Sequence, residues 1–353
     1  MRTRNLEKQN AAESLIGAGL WASVATLAGL RRAPLGVIEL LLLFAVLVIV
    51  PLAFNLMRMD DSVGHEHRMR ALLWFEAAAP LAVVVSFWVR PGAVAAGLVV
   101  PWVVLGLCVA LAGVWNLYRK EARSLADLAV SIAGVDLAFA GGWLVVSRAG
   151  LHPMGFQEPI VLLTAVHFHY SGFAIAVIAS AALRRREDRA NRPSIVTPIA
   201  LLVLFLPFLL AAGFVISPTL RMAAALGLAV SVPALAACLF WLSRAFRAPV
   251  ARKYVRVGAI AAWVAMCLAA VYAVTDFAGR AFMTMPAMAS THGGLNGLVF
   301  VLCSMLAFSM EGEARDKSSA NEDIAQPLAE VVRKRPTGVR PVPEFVAREF
   351  YDR

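Results

Sequence analysis

The fold is decided by an apolar stretch of 22 residues at positions 36–57, GVIELLLLFAVLVIVPLAFNLM. A helix of about 20 mostly apolar residues crosses the hydrocarbon core of a bilayer, because each residue adds about 1.5 Å to its length. Eight more runs meet or approach that length, at 71–89, 93–117, 125–147, 158–183, 197–216, 219–242, 257–277 and 285–310. The sequence therefore predicts an all-α fold, a polytopic transmembrane helical bundle.

A tenth candidate span, residues 14–30, is shorter and milder than the others. A segment of this kind either crosses the bilayer or lies along its interface as an amphipathic helix. The bundle is thus expected to have about ten spans, or nine if 14–30 is interfacial.

The composition excludes the soluble, disordered and disulfide-rich classes of protein. Of the 353 residues, 60% are apolar or aromatic and 16% are charged, and the mean hydropathy is +0.72. Soluble domains are typically about 45–50% apolar and about 25% charged. The four cysteines lie singly inside apolar runs, which is typical of small core residues and not of disulfides or zinc ligands. We expect no metal site.

The distribution of charge predicts the orientation of the chain. There are 33 Lys and Arg against 23 Asp and Glu, and the basic residues stand in short tracts between the apolar runs. Membrane lipids are therefore the expected partner of this charge, and nucleic acid is not. With ten spans, 27 of the 33 basic residues fall on one side of the membrane, and with nine spans 24 do. Because basic loops stay in the cytoplasm, ten spans with both termini cytoplasmic fit better.

This orientation divides the chain into three parts. Residues 1–13 are predicted to be a cytoplasmic N-terminal tail, and residues 14–310 the transmembrane helical domain. Residues 311–353 carry eight basic residues, nine acidic residues and four prolines. That composition is typical of a mostly disordered segment, so a disordered cytoplasmic C-terminal tail is expected.

Four ionisable side chains interrupt the predicted spans at a similar depth: Asp136, His167, His169 and His292. Counting about 1.5 Å per residue from the span ends places all four in the outer half of the bilayer. An ionisable group in hydrocarbon is costly, so it normally has a partner or a function. Glu76 is nearer the cytoplasmic face, and Asp276 is close enough to a span end to reach the surface. The sequence thus predicts one polar layer inside the bundle.

Helical periodicity predicts which of these side chains share a face. His167 and His169 are two residues apart and point to nearly opposite sides of one helix. Thr164 shares the face of His167, and Asn296, four residues after His292, shares the face of His292. Asp136 is the natural acceptor for an imidazole N–H and would orient one of the histidines.

Two motifs resemble those of the YndJ-like family of bacterial polytopic membrane proteins: TAVHFHYSGF at 164–173 and MASTHGGLNGLVF at 288–300. The resemblance covers about residues 30–310. It implies a multi-pass protein of the bacterial cytoplasmic (inner) membrane. It marks His167, His169, Tyr170, His292 and Asn296 without assigning their chemistry, because the transporter label sometimes attached to the family implies no known substrate.

The string AVHFHY is also similar to the His-Phe-His helix of haem–copper oxidase subunit I, and THGGLNGLVF is similar to its His-Gly element. This resemblance implies that His169 and His292 form the axial pair of a b-type haem and that His167 faces a second centre. The chain departs from the oxidase pattern, because it has six histidines in all, no copper-ligand His pair and no His-x-x-x-Tyr. A complete oxidase site is excluded.

These residues are compatible with four functions. The first is a pocket that binds or converts a small or lipophilic molecule, with His167, His169 and Asp136 as catalytic groups and His292, Asn296, Tyr170 and Thr164 as ligand contacts. The second is a secondary, proton-coupled transporter that uses the same groups as a relay. The third is a b-type haem protein, and the fourth is a structural or assembly factor whose polar residues join helices. We select His169 as the pocket-lining histidine, on the oxidase analogy, and leave open whether the protein is an enzyme.

The charge count generates a topological prediction. A reporter fused after Arg353 should be active in the cytoplasm, whereas one inserted beside His152 or Glu158 should be active only on the opposite side. Paired fusions to a phosphatase and a fluorescent protein would measure both. Phosphatase activity at the C-terminus would contradict the predicted orientation.

Overall fold

The computed structural model describes residues 2–58, 78–119, 124–187, 195–315 and 318. This part of the chain contains helices joined by short turns and no β-strand. The helices are α1 (Arg2–Gly29), α2 (Val37–Met57), α3 (78–86), α4 (Ala93–Arg119), α5 (Leu125–Ala149), α6 (Ile160–Arg185), α7 (Val196–Ile216), α8 (Pro218–Ala245), α9 (Pro249–Phe277) and α10 (Met285–Arg315). Met1–Glu311 form one compact unit, and Gly312–Arg353 form a second.

Eight of the expected spans are confirmed, because α2 and α4–α10 are each long and apolar enough to cross a membrane. Of the run predicted at 71–89, only the part that contains α3 is described, and Glu76 lies outside the described residues. Most of the predicted C-terminal tail also lies outside them.

The shorter candidate, 14–30, forms the C-terminal part of α1, and it packs lengthwise on α2. Gly17 meets the backbone of Leu47, at the middle of α2, and the Trp21 indole N–H donates to the Leu40 carbonyl at 2.8 Å. The contact residue that comes later in α1, Trp21, meets the residue that comes earlier in α2, Leu40, so the two helices are antiparallel. This packing favours the alternative in which 14–30 crosses the bilayer over the one in which it lies in the interface.

Helices α4 and α5 form an antiparallel pair whose closeness depends on glycine. A Cβ atom on Gly106 would lie 2.9 Å from the Ala138 Cα, and one on Gly134 would lie 2.8 Å from the Ala110 Cα. In lipid, where apolar side chains gain little from association, such close backbone packing is a main source of helix–helix stability. Ser124 starts α5, since its hydroxyl accepts the Asp127 N–H at 3.2 Å. The helix ends where Gly150 adopts a left-handed conformation, with φ of 71°.

Helices α2 and α6 are the most buried spans, and both contain a π-helical segment. These segments are Ala45–Ile49 in α2 and Phe168–Ala174 in α6, and α10 contains two more, Ala289–Gly293 and Leu295–Val301. π-helical turns are rare and occur frequently at functional sites. Three neighbouring helices therefore carry the same unusual backbone in the interior of the bundle.

Polar contacts mark the two ends of the bundle. At the end that we call the inner end, predicted to be cytoplasmic, Arg185 pairs with Glu311 at 2.5 Å and Arg184 with Asp127 at 3.3 Å. At the outer end, the Arg148 guanidinium donates to the Ser86 and Val89 carbonyls. The inner-end contacts join α6 to α10 and to α5, and the outer-end contacts join α5 to the end of α3.

The glycine contact between α4 and α5 generates a stability prediction. Gly134→Ala should lower the free energy of unfolding by about 1–3 kcal/mol, because its methyl group would overlap the α4 backbone. Gly142→Ala is the matched control on the same helix: nothing lies within 4 Å of its Cβ position. Thermal melts in detergent measure both variants, and equal melting temperatures for G134A and G142A would contradict the packing.

Candidate functional site

The candidate site is a cavity of about 340 Å³ enclosed by α6–α10 and capped on one side by Leu41 of α2. It runs from the outer end, at Met285, to about the middle of the bundle, at Val301 and Ile175. Most of its wall is apolar, and the polar side chains lie at its outer end and around its middle, where His167 and His292 are. This size and lining are typical of sites for small molecules.

Five of the seven site residues predicted from the sequence line this cavity: Thr164, His167, Tyr170, His292 and Asn296. The other two, His169 and Asp136, do not. Helices α6 and α10 are in contact, because the Tyr170 ring lies against Gly297. A Cβ atom at position 297 would come within 2.8 Å of that ring, so only glycine leaves room for it.

Tyr170 joins the three helices that carry π-helical segments. Its hydroxyl donates to the Leu41 carbonyl at 2.8 Å, and that carbonyl lies one turn before the π segment of α2. Its ring packs on Gly297 within the second π segment of α10. The Leu41 side chain in turn lies against the Gly293 position of α10. The cavity wall is therefore built where the three segments meet.

His292 and Asn296 lie on one face, as predicted. The His292 Nδ1 lies 2.9 Å from the Ala265 carbonyl of α9, so Nδ1 carries a proton and donates it there. The amide nitrogen of Asn296 lies 3.3 Å from the same Nδ1 and 3.5 Å from the Met266 sulfur, while its Oδ1 has no partner in the described residues. Since Nδ1 is protonated, the Nε2 of His292 is the ring nitrogen with a free lone pair.

The selection of His169 as the pocket-lining histidine was wrong. His169 is fully buried on the opposite face of α6, where the Trp102 indole N–H donates to its Nε2 at 3.0 Å. An indole nitrogen can only donate, so Nε2 is unprotonated and Nδ1 donates to the Ala165 carbonyl at 2.8 Å. His167 faces the cavity instead, and its Nε2 has no hydrogen-bond partner in the described part of the chain.

The residues do not fit the b-type haem that the oxidase resemblance implied. An axial histidine must offer a lone pair to iron, but Trp102 already occupies the Nε2 lone pair of His169, and its Nδ1 bears a proton. The proposed pair of His169 and His292 therefore lacks one of its two ligands.

The expectation that Asp136 orients a histidine was also wrong. Asp136 is fully buried between α5 and α6, and neither of its carboxyl oxygens has a hydrogen-bond partner among the described residues. It lies against Gly172, where an added Cβ would be 2.7 Å from the carboxyl carbon. The predicted polar layer thus divides into two places, the cavity on one side of α6 and Asp136 on the other.

At the outer end of the cavity, Arg221 pairs with Asp276 at 2.8 Å, and both side chains are about one-third exposed. The Arg221 guanidinium also lies over the Phe214 ring at 5.1 Å. Sequence analysis missed Arg221 because it counted only as a loop charge. Ser171 of the cavity wall was missed too, although its spacing of four residues from His167 places both on one face.

The cysteines only partly follow the sequence-based expectation. Cys238 and Cys303 are buried, but Cys108 and Cys267 are exposed on the surface of the bundle, and all four are free thiols. An apolar run does not reveal whether a small residue faces protein or lipid. No group of three or more metal-binding side chains was found among the described residues.

Comparison with known proteins identifies one family. The sequence model of the family described as YndJ-like protein matches residues 40–300, which include every residue of the cavity named above except Val301. The chain is also 26% identical over 232 residues to the "Uncharacterized membrane protein YndJ" of Bacillus subtilis (strain 168). That alignment covers 65% of this chain and 40% of the relative, so the chain spans less than half of that protein. No solved structure matches the chain.

The different environments of the two histidines generate a prediction. His169→Ala would leave the buried Trp102 N–H unpaired, at a cost of about 1–3 kcal/mol in the free energy of unfolding. His167→Ala removes no hydrogen bond in the described structure, so it should lower the free energy of unfolding by less than His169→Ala does. Parallel thermal melts measure the difference, and a larger loss for H167A than for H169A would reverse the assignment.

Proposed function

Because the chain belongs to the YndJ-like family of membrane proteins, we propose that it acts within the bilayer by binding a small amphipathic molecule in the outer-half cavity. The apolar walls formed by α7, α8 and α9 would hold the lipophilic part of the molecule. The polar groups around the middle of the cavity, His167, His292 and Asn296, would hold its polar part.

The observation that carries this proposal is a pair of unsatisfied polar atoms. The Nε2 of His167 and the Oδ1 of Asn296 are buried and have no hydrogen-bond partner in the described residues, yet both side chains line the cavity. Buried polar atoms are nearly always paired, so an orphan in a cavity wall indicates a partner that is not part of the chain. A small rotation of either side chain would present its free atom to a hydroxyl, carbonyl or amine of a bound molecule.

His167 is the residue best suited to chemistry on such a molecule. Unlike His169, it has no hydrogen bond to any described residue, so its imidazole is available to accept or donate a proton. Thr164 does not compete for it, since the threonine hydroxyl donates to the Ile160 carbonyl at 2.9 Å. If the protein converts its ligand, His167 is the expected acid or base, and His292 with Asn296 would position the polar group.

Contacts at the inner end favour binding over passage through the membrane. Glu311 of α10 accepts from Arg185 of α6 at 2.5 Å and from the backbone N–H of Arg247 at 2.6 Å. These contacts close the helices of the cavity below its deepest residues. Transport, the second candidate, would require this buried cluster to open in each cycle, whereas binding from the outer half would leave it intact.

A hydrophobic photolabel tests the proposal. An aryl trifluoromethyl diazirine in excess lipid should label the cavity residues of 160–175 and 285–301 saturably, and a non-photoreactive analogue should compete. Ala225→Phe should abolish the saturable labelling, because the new ring fills the cavity. Ala223→Phe is the matched control, since Ala223 is exposed on the same helix. Peptide mapping by mass spectrometry gives the readout.

The result has two distinguishable outcomes. Saturable labelling that survives A223F and is lost in A225F would support the site. Labelling that rises linearly with reagent at every position, or that A225F leaves unchanged, would contradict a ligand cavity.

A further inference from the structure

Asp136 lies outside the cavity and is buried in the interior of the bundle. Its side chain is fully buried at the middle of α5, and both carboxyl oxygens lack a hydrogen-bond partner among the described residues. An ionised carboxylate is strongly disfavoured in such surroundings, whereas the neutral acid form carries no charge. A bound Ca²⁺ or similar cation would need several oxygen ligands, and the described residues gather no acidic or histidine cluster to supply them.

The helices packed around α5 bring no counter-charge to Asp136. On α6 the ionisable side chains nearest in sequence to the contact residue Gly172 are Tyr170, whose hydroxyl donates to the Leu41 carbonyl, and His169, whose two ring nitrogens are engaged by Trp102 and Ala165. On α4 the ionisable residue nearest mid-helix is Cys108, which is exposed, and α7 contains no ionisable residue at all. The ionisable neighbours on α5 itself, Asp127 and Arg148, lie near its two ends.

The carboxyl group is in direct contact with the backbone of α6. An added Cβ on Gly172 would lie 2.7 Å from the Asp136 Cγ and 2.9 Å from its Oδ1, so no water fits between the carboxyl and the helix at this point. The two residues before Gly172, Tyr170 and Ser171, line the cavity on the other side of α6. All three belong to the π-helical segment Phe168–Ala174.

We propose that Asp136 is a proton-binding site and that the presence of its proton sets the shape of the cavity through Gly172. Loss of the proton leaves a carboxylate that must gain water or donors, and this requires α6 to move away from α5 at Gly172. The same movement displaces Tyr170 and Ser171. The link to a ligand rests on the proposed function of the cavity, whereas the proton site stands without it.

Infrared spectroscopy tests the proton site directly. At neutral pH the wild-type protein should show the C=O stretching band of a protonated carboxylic acid, and Asp136→Asn should remove it. Asp136→Glu keeps the acid but shifts the frequency of the band, so it assigns the band if D136N fails to accumulate. A spectrum without any protonated carboxyl band at neutral pH overturns the proposal.

Cysteine accessibility tests the link to the cavity. In a background without the four native cysteines, Ser171→Cys is alkylated by a small maleimide from about pH 5 to about pH 8, with and without D136N. The alkylation rate of S171C is divided by that of S171C/D136N at each pH, which cancels the pH dependence of the thiol itself. This ratio should be close to one at acid pH and differ several-fold at alkaline pH, whereas Ala223→Cys on the exposed face of α8 should keep a constant ratio.

A ratio close to one at every pH would overturn the coupling between Asp136 and the cavity. This outcome is independent of the photolabelling experiment, because neither the infrared band nor the alkylation rate requires a ligand. Failure of the proposed binding function and failure of the proton site are therefore recognised separately.

Discussion

The hydrogen bond from the Trp102 indole to the His169 imidazole fixes the rotation of α6, and the arrangement of the site follows from that rotation. The indole can only donate, so it holds one tautomer of His169 against α4. The opposite face of α6, which carries His167 and Ser171, is then turned toward α8, α9 and α10. Because unpaired polar groups are costly in hydrocarbon, a rotation that broke this bond would be strongly disfavoured.

Much of the fold can be predicted from the sequence, since the bilayer allows few alternatives. Helices long enough to cross it are visible as apolar runs, and eight of them occur where expected. The opposite faces of His167 and His169 follow from helical periodicity alone, and so does the pairing of His292 with Asn296. The meeting of α6 with α10 follows from the cost of isolated polar side chains in lipid.

The rotation of α6 could not be predicted in the same way. It depends on Trp102, an aromatic residue in an apolar run that gives no sign of which neighbour it will bond. His169 was chosen by analogy with the oxidase helix and not from the spacing of the polar residues. Thr164, His167 and Ser171 are spaced so that they share one face of α6, and this face lines the cavity. The expected partner of Asp136 was wrong for another reason. Buried charged groups usually have a polar partner, so a histidine was expected beside Asp136. Its carboxyl group packs against the backbone of Gly172 instead.

The site combines a rigid half with an adaptable one. Tyr170 and His292 donate to carbonyls of neighbouring helices, and His169 accepts from Trp102 of α4, so these bonds hold α6 and α10 in register with their neighbours. His167 and Asn296 retain unpaired atoms, and π-helical segments run through the wall that they share. Such a wall can adjust to a ligand without loss of the contacts that keep the helices together, which is the property expected of a binding site for a flexible lipophilic molecule.

The most direct test is a cryo-electron-microscopy map of the protein in a lipid nanodisc. We expect His167 to face a cavity shared with His292 and Asn296. Non-protein density should occupy this cavity, and the polar end of the density should lie beside these three side chains. A map in which His167 contacts acyl chains or Asp136, and in which protein side chains fill the space between α6 and α10, would contradict it.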